Sequence, residues 1–221
     1  MTDIWTLLFA ILLFMVFVGR RLIMDRLKKG KASFDGIKDR AMIDSAIERL
    51  EERFKGPFPV FEIPEGIMEI LDREPGSEYA MNIFLQEVAA HCRYNRRKVM
   101  LRSFGRQEGM PPGRISKLGS SFLMELYLDS SESRDGMLAV IVHEFCHFYL
   151  DEMGLELVDT IENEVLTDTA AIYFGFGDLM RRGYSPHVVA TADGRGHLYR
   201  IGYLDTLNID YVISRLGGRG R

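Results

Sequence analysis

Apolar residues along this chain fall into runs of different period. From Ile4 to Gly19 the sequence IWTLLFAILLFMVFVG contains sixteen residues without a charge. Residues 37–54 instead place Ile37, Met42, Ile43, Ala46, Ile47, Leu50 and Phe54 at helical spacing with charges between them. A second amphipathic helix is expected from Ser77, as its N-cap, to about Tyr94. Val99–Phe104 and Phe122–Leu128 (FLMELYL) read as strands, the latter with partial alternation. Two apolar helices follow, over Met137–Leu150 and from near Thr160 to about Met180. Between these elements lie an extended, proline-rich connector (56–66), a loop rich in Gly, Pro and Ser (106–121) and a polar turn (129–135).

As a helix, the uncharged N-terminal run covers roughly 24 Å, slightly less than a ~30 Å hydrocarbon core. Leu22, Ile23 and Met24 extend it, and Arg20 and Arg21 can snorkel. The preceding MTD lacks the positive charge of a signal peptide, and no small-x-small cleavage site follows. Arg20, Arg21, Arg26, Lys28, Lys29 and Lys31 follow against a single Asp25, a bias that favours a cytoplasmic location for what comes after. The expectation is therefore a transmembrane anchor over residues 1–24 and a cationic juxtamembrane linker over 25–36 that touches anionic lipid. The catalytic domain, 37–221, would be cytoplasmic in a single-pass membrane protein. A cleaved signal peptide and a buried core helix are the rival readings of the run.

The 221 residues suffice for one well-buried domain with an appendage. With 47% hydrophobic and 27% charged residues the chain is neither disordered nor fibrous. A net charge of −4 gives no global support to a nucleic-acid partner. Two cysteines, Cys92 and Cys146, exclude a disulfide framework and a Cys-rich zinc module. Any metal must therefore be held by His and carboxylate.

Such a set exists in the first apolar helix, which contains His143-Glu144-Phe145-Cys146-His147. A spacing of four puts the two histidines about one turn apart on one face, where both imidazoles reach one ion. Glu144, rotated about 100° from His143, stands beside the ion and can accept a proton from a water that the metal activates. Zinc suits two nitrogens and an oxygen. Every position flanking the motif in VIVHEFCHFY is uncharged and no proline interrupts it. The plain alternative is a buried helix whose histidines bond to backbone, a costly arrangement for two His and a Glu without partners. Seventeen residues beyond His147 stands Glu164, with Asp168 at i+4 on the same face. One carboxylate can complete a His2Glu site while the other orients a ligand imidazole through its free N–H.

HExxH followed by NEVLTD on a second helix resembles the gluzincin zinc metallopeptidases, the thermolysin-like enzymes, over roughly residues 122–176. The resemblance implies an α+β fold of zincin type, a short sheet with an HExxH helix and a glutamate helix. It implies His143, His147 and Glu164 as Zn2+ ligands, Glu144 as general base, and Asp168 as partner of a ligand histidine. It also implies a strand that binds extended substrate antiparallel, just before the HExxH helix, where Phe122–Leu128 lies. The chain has no room for the large C-terminal helical domain of thermolysin, so it resembles a compact gluzincin.

Other residues weigh less. Glu162 is the alternative third ligand, but it lies about 200° round the helix from Glu164 and lacks a carboxylate one turn on. Cys146 sits off the His face and reads as a core thiol, and His91 as structural. His187, His197, Tyr199, Arg200 and Tyr203 are candidates to stabilise an oxyanion. Gly175-Phe176-Gly177 reads as a helix end or a close-packing point. The expected function is a membrane-anchored zinc metallopeptidase acting on a peptide or protein substrate. The alternative is a non-catalytic zincin-fold module that binds a protein partner at the membrane.

Overall fold

The computed structural model describes residues 36–107, 110–128, 132–184, 187–190, 196–199 and 202–217. The chain divides into two compact units, 1–39 and 40–221, and of the first only the opening turn of α1 is described. Helix α1 spans Gly36–Phe54, α2 Glu65–Arg73 and α3 Glu78–His91. Strands β1 (Val99–Gly105), β2 (Gly113–Leu118) and β3 (Ser121–Leu128) follow. Then come α4 (Arg134–Glu152), α5 (Thr160–Ala171), a wide π-type turn at Ile172–Phe176, α6 (Gly177–Gly183), the hairpin strands β4 (His187–Ala190) and β5 (Gly196–Tyr199), and α7 (Thr206–Gly217).

The three-stranded sheet has the order β1-β3-β2, with β3 parallel to β1 and antiparallel to β2. Alternation along β3 decides its two faces. Phe122, Met124, Leu126 and Leu128 are buried with Val99 and Leu101 of β1 against the helices, whereas Glu125 on the other face pairs with Arg114. The core centres on α4, where Leu138, Ala139, Ile141, Val142, Phe145 and Cys146 are all 0% exposed. That helix is apolar on nearly every side because sheet and helices cover it from several directions. The Ser133 hydroxyl caps α4 by accepting from Gly136 N at 3.0 Å, and Asp159 caps α5 by accepting from Ile161 N and Glu162 N. These two caps fix where the site-bearing helices begin.

Four sequence expectations change. The α+β class with a short sheet stands, but the transmembrane helix and the single-pass membrane location are corrected. Among the described residues no helix is long and apolar enough to cross a membrane, and residues 1–24, on which that expectation rested, lie outside the described residues. The expected helix over 160–180 is broken, because Gly175 adopts φ +93°. A Cβ there would stand 2.0 Å from Pro59 O, so only glycine admits the 56–63 segment, whose Phe58 N and Phe61 N donate to Tyr173 O and Gly175 O. The loop expected over 106–121 contains β2. Finally, β3 has both edges paired, so the expectation that it receives an extended substrate is corrected.

Candidate metal centre

Helices α4 and α5 bring His143, His147 and Glu164 together, with one ligand atom from each lying within 4.8 Å of the others. Glu164 Oε2 stands 3.2 Å from His143 Nε2 and 3.3 Å from His147 Nε2. A tetrahedral ion with bonds of about 2.0–2.1 Å separates its ligand atoms by about 3.3 Å, so these spacings fit a single small cation. The cluster could thus hold a metal ion. Glu162 is exposed on the opposite side of α5 and takes no part.

Proton counting fixes which imidazole nitrogens converge. Thr167 Oγ1 donates its one proton to Asn163 O at 2.8 Å and stands 3.0 Å from His147 Nδ1, closer than Asn163 Nδ2 at 3.5 Å. The short contact is therefore made by the Nδ1–H tautomer, with the Thr167 oxygen accepting. Asp168 Oδ1 accepts from His143 Nδ1–H at 2.8 Å. With both Nδ1 atoms engaged as donors, each Nε2 is the atom at which proton and metal compete. Burial opposes the charged form of His143, but its bonds to Asp168 and Glu164 prevail and hold its pKa well above the ordinary value. Burial also raises Glu164, and the hydrogen bonds and charges of the two imidazoles outweigh it, leaving this carboxyl below its usual range.

Glu144 lies beside the cluster, one residue on from His143. Burial lifts its carboxyl above the ordinary value, while the charges of His143 and His147 pull it down. Its stem packs where β2 begins: a Cβ on Gly113 would be 2.6 Å from Glu144 Cγ and 2.9 Å from its Cδ. Glycine at 113 is what lets the strand and Glu144 approach so closely.

The cluster opens on a cleft of about 1010 Å³, walled by Pro111–Lys117 on one side and by Phe148, Asp151, Glu156 and Asn163 on the other. Gly202 and Tyr203 close a third side. Because Tyr127 N donates to Pro112 O, antiparallel alternation turns the main-chain groups of Gly113, Ile115 and Lys117 outward. Among the described residues no strand pairs with that outer edge of β2.

The other sequence candidates scatter. Cys146 is buried in the core, and His91 Nε2 bonds Phe174 O at 2.8 Å within a ring of aromatic side chains. His187 belongs to β4, His197 and Tyr199 to β5, and Arg200 lies outside the described residues. Among the described side chains, Tyr203 lines the cleft. Sequence reasoning missed Gly113, Thr167 and Tyr184. Thr167 had a usable signal, standing at i+3 from Glu164, whereas Tyr184 is sixteen residues from Asp168 with no periodic relation to it.

Comparison with protein-family models, with curated proteins and with solved structures gave no match to this chain.

Proposed function

We propose that this chain is a zinc-dependent metallopeptidase in which His143, His147 and Glu164 hold the ion and Glu144 serves as general base. The observation that carries the reading is the convergence of two Nε2 atoms on one Glu164 oxygen at 3.2 and 3.3 Å, with the Glu144 carboxylate beside them in an open cleft. Zinc is favoured over other ions because two imidazoles and one carboxylate leave a fourth position for substrate, a donor set characteristic of catalytic zinc. When bound, zinc polarises a carbonyl and brings the pKa of water towards ~7.

The remaining work falls to the chain's own side chains. Glu144 accepts the proton at its carboxylate and returns it to the leaving amine, so the residue is base and then acid. Thr167 and Asp168 hold the two imidazoles by their Nδ1 protons and keep both Nε2 atoms aimed inward. The outer edge of β2 offers alternate N–H and C=O groups to an extended peptide, which would add as a further strand. Its end at Gly113 delivers that peptide to Glu144.

The test is turnover of a quenched peptide library by the zinc-loaded full chain, with Glu144→Gln alongside. The substitution keeps size and hydrogen bonding and removes the proton acceptor, so turnover should fall by roughly 10²-fold or more while zinc content holds. Loss of zinc in this variant would make Glu144 a ligand. Wild-type protein that binds zinc and cleaves nothing would leave a non-catalytic binding module instead.

A further inference from the structure

Tyr184 stands next to the α6 terminus and takes part in nothing that the proposed reaction requires directly. Its side chain is buried, at 1% exposure. Its hydroxyl donates to Asp168 Oδ1 at 2.6 Å and lies 3.1 Å from His143 Nδ1. Burial, and then the charge of Asp168, push the phenol well above its ordinary pKa, so it remains a donor at neutral pH. Asp168 is equally buried and collects four donors, since Tyr203 N and Leu204 N reach its Oδ2 at 2.7 and 2.8 Å. The chain can come that close because residue 202 is glycine. At φ +79°, a Cβ on Gly202 would fall 1.7 Å from Tyr184 Cε2.

We infer that Tyr184 is a positioning residue of the metal centre, coupling the orientation of His143 to the placement of the Gly202–Leu204 cleft wall through Asp168. The inference rests on the metal-site reading above. The physical argument runs through the two oxygens of one carboxylate. Oδ1 is shared by His143 and Tyr184, and Oδ2 by two backbone amides. A carboxylate gripped on both oxygens cannot rotate, so the imidazole it holds cannot swing. Removing the phenolic donor takes away a bond to a charged acceptor, the strong kind. Asp168 can then turn towards His143 or towards residues 203–204, and both the ligand ring and the cleft wall loosen.

Tyr184→Phe in the full chain tests this, because phenylalanine keeps the ring against Gly202 and removes only the hydroxyl. Zinc affinity by chelator competition should weaken by about 10-fold or more, the range seen when partners of ligand histidines are lost. Amide exchange at Tyr203 and Leu204 should quicken in the same variant. Tyr173→Phe is the control: it too removes a buried phenol, one that accepts from Gly56 N at 2.8 Å, and should leave zinc affinity unchanged. Wild-type affinity together with unchanged exchange at residues 203–204 in Tyr184→Phe would overturn the inference while leaving the metal site intact. If wild-type protein binds no zinc, the metal-site reading fails with the metal half of the inference. The exchange comparison on the metal-free protein then decides the half that concerns the cleft wall.

Discussion

Gly113→Ala perturbs the proposed chemistry without touching a metal ligand. The new Cβ would meet Glu144 Cγ at 2.6 Å, with Cδ and Oε1 each at 2.9 Å. Carbon atoms rest at about 3.5–4.0 Å, so the pair must separate by roughly 1 Å. Cγ is tethered to a helix whose neighbours Leu138, Ile141 and Phe145 are fully buried, and the strand is anchored by its ladder to β3. The soft coordinate is the Glu144 side-chain torsion, and turning it moves the carboxylate. Misplacement of a reacting group by about 1 Å costs on the order of 10²-fold in rate, near 2.7 kcal/mol. The assay is kcat/KM on a peptide cleaved by wild-type protein, with zinc content measured in parallel and expected to be unchanged. Gly105→Ala is the matched control, because a Cβ there meets nothing within 4 Å. Full activity of Gly113→Ala would refute the claim that β2 sets the position of the base.

Two further outcomes follow from the same geometry. Glu164→Ala should reduce zinc affinity by more than the ~10–100-fold expected for Asp168→Ala, while Glu162→Ala should leave it nearly unchanged; titration with a competing chelator ranks the three, and the reverse order would mean that α5 is rotated. Cys92 and Cys146 are 0% exposed, and burial raises both thiols above their ordinary pKa; a thiol reagent should therefore modify neither in the native protein and both in denaturant, and rapid native labelling would contradict the packing around α4.

The chemistry-bearing helices were legible because their signals are local. HEFCH fixes its own spacing of one turn, and Glu164 with Asp168 does the same on α5. The apolar pattern runs past Ala171 to Phe176 without marking the break, and only Gly175-Phe176-Gly177 signalled a helix end or a close-packing point. It arises from a distant partner, the Pro59 carbonyl lodged against Gly175. Strand β2 was hidden for a related reason. GRISKL offers little apolar alternation and stands among glycines and prolines, and it becomes a strand because β3 supplies a ladder for it. The resemblance to gluzincins implied a substrate-binding strand at Phe122–Leu128, just before the HExxH helix, but a strand paired on both edges has no free main-chain groups to offer. Tyr184 and Gly202 meet Asp168 only through the tertiary path of the chain, and no period in the sequence connects them.

The outer edge of β2, unpaired among the described residues, carries a hazard as well as an opportunity. A row of unpaired amides that accepts a peptide strand accepts the same edge of another molecule equally well, which is how sheet proteins begin to aggregate. This edge is short, it is preceded by Pro111 and Pro112, and it carries Arg114 and Lys117. Arg114 is already paired with Glu125, so Lys117 is the cation that a second such edge would meet, a repulsion that a passing peptide with few positive charges would not feel. Lys117, which also lines the cleft, thus acts as a gatekeeper against self-assembly, and neutralising it should make concentrated protein stickier before it makes it less stable.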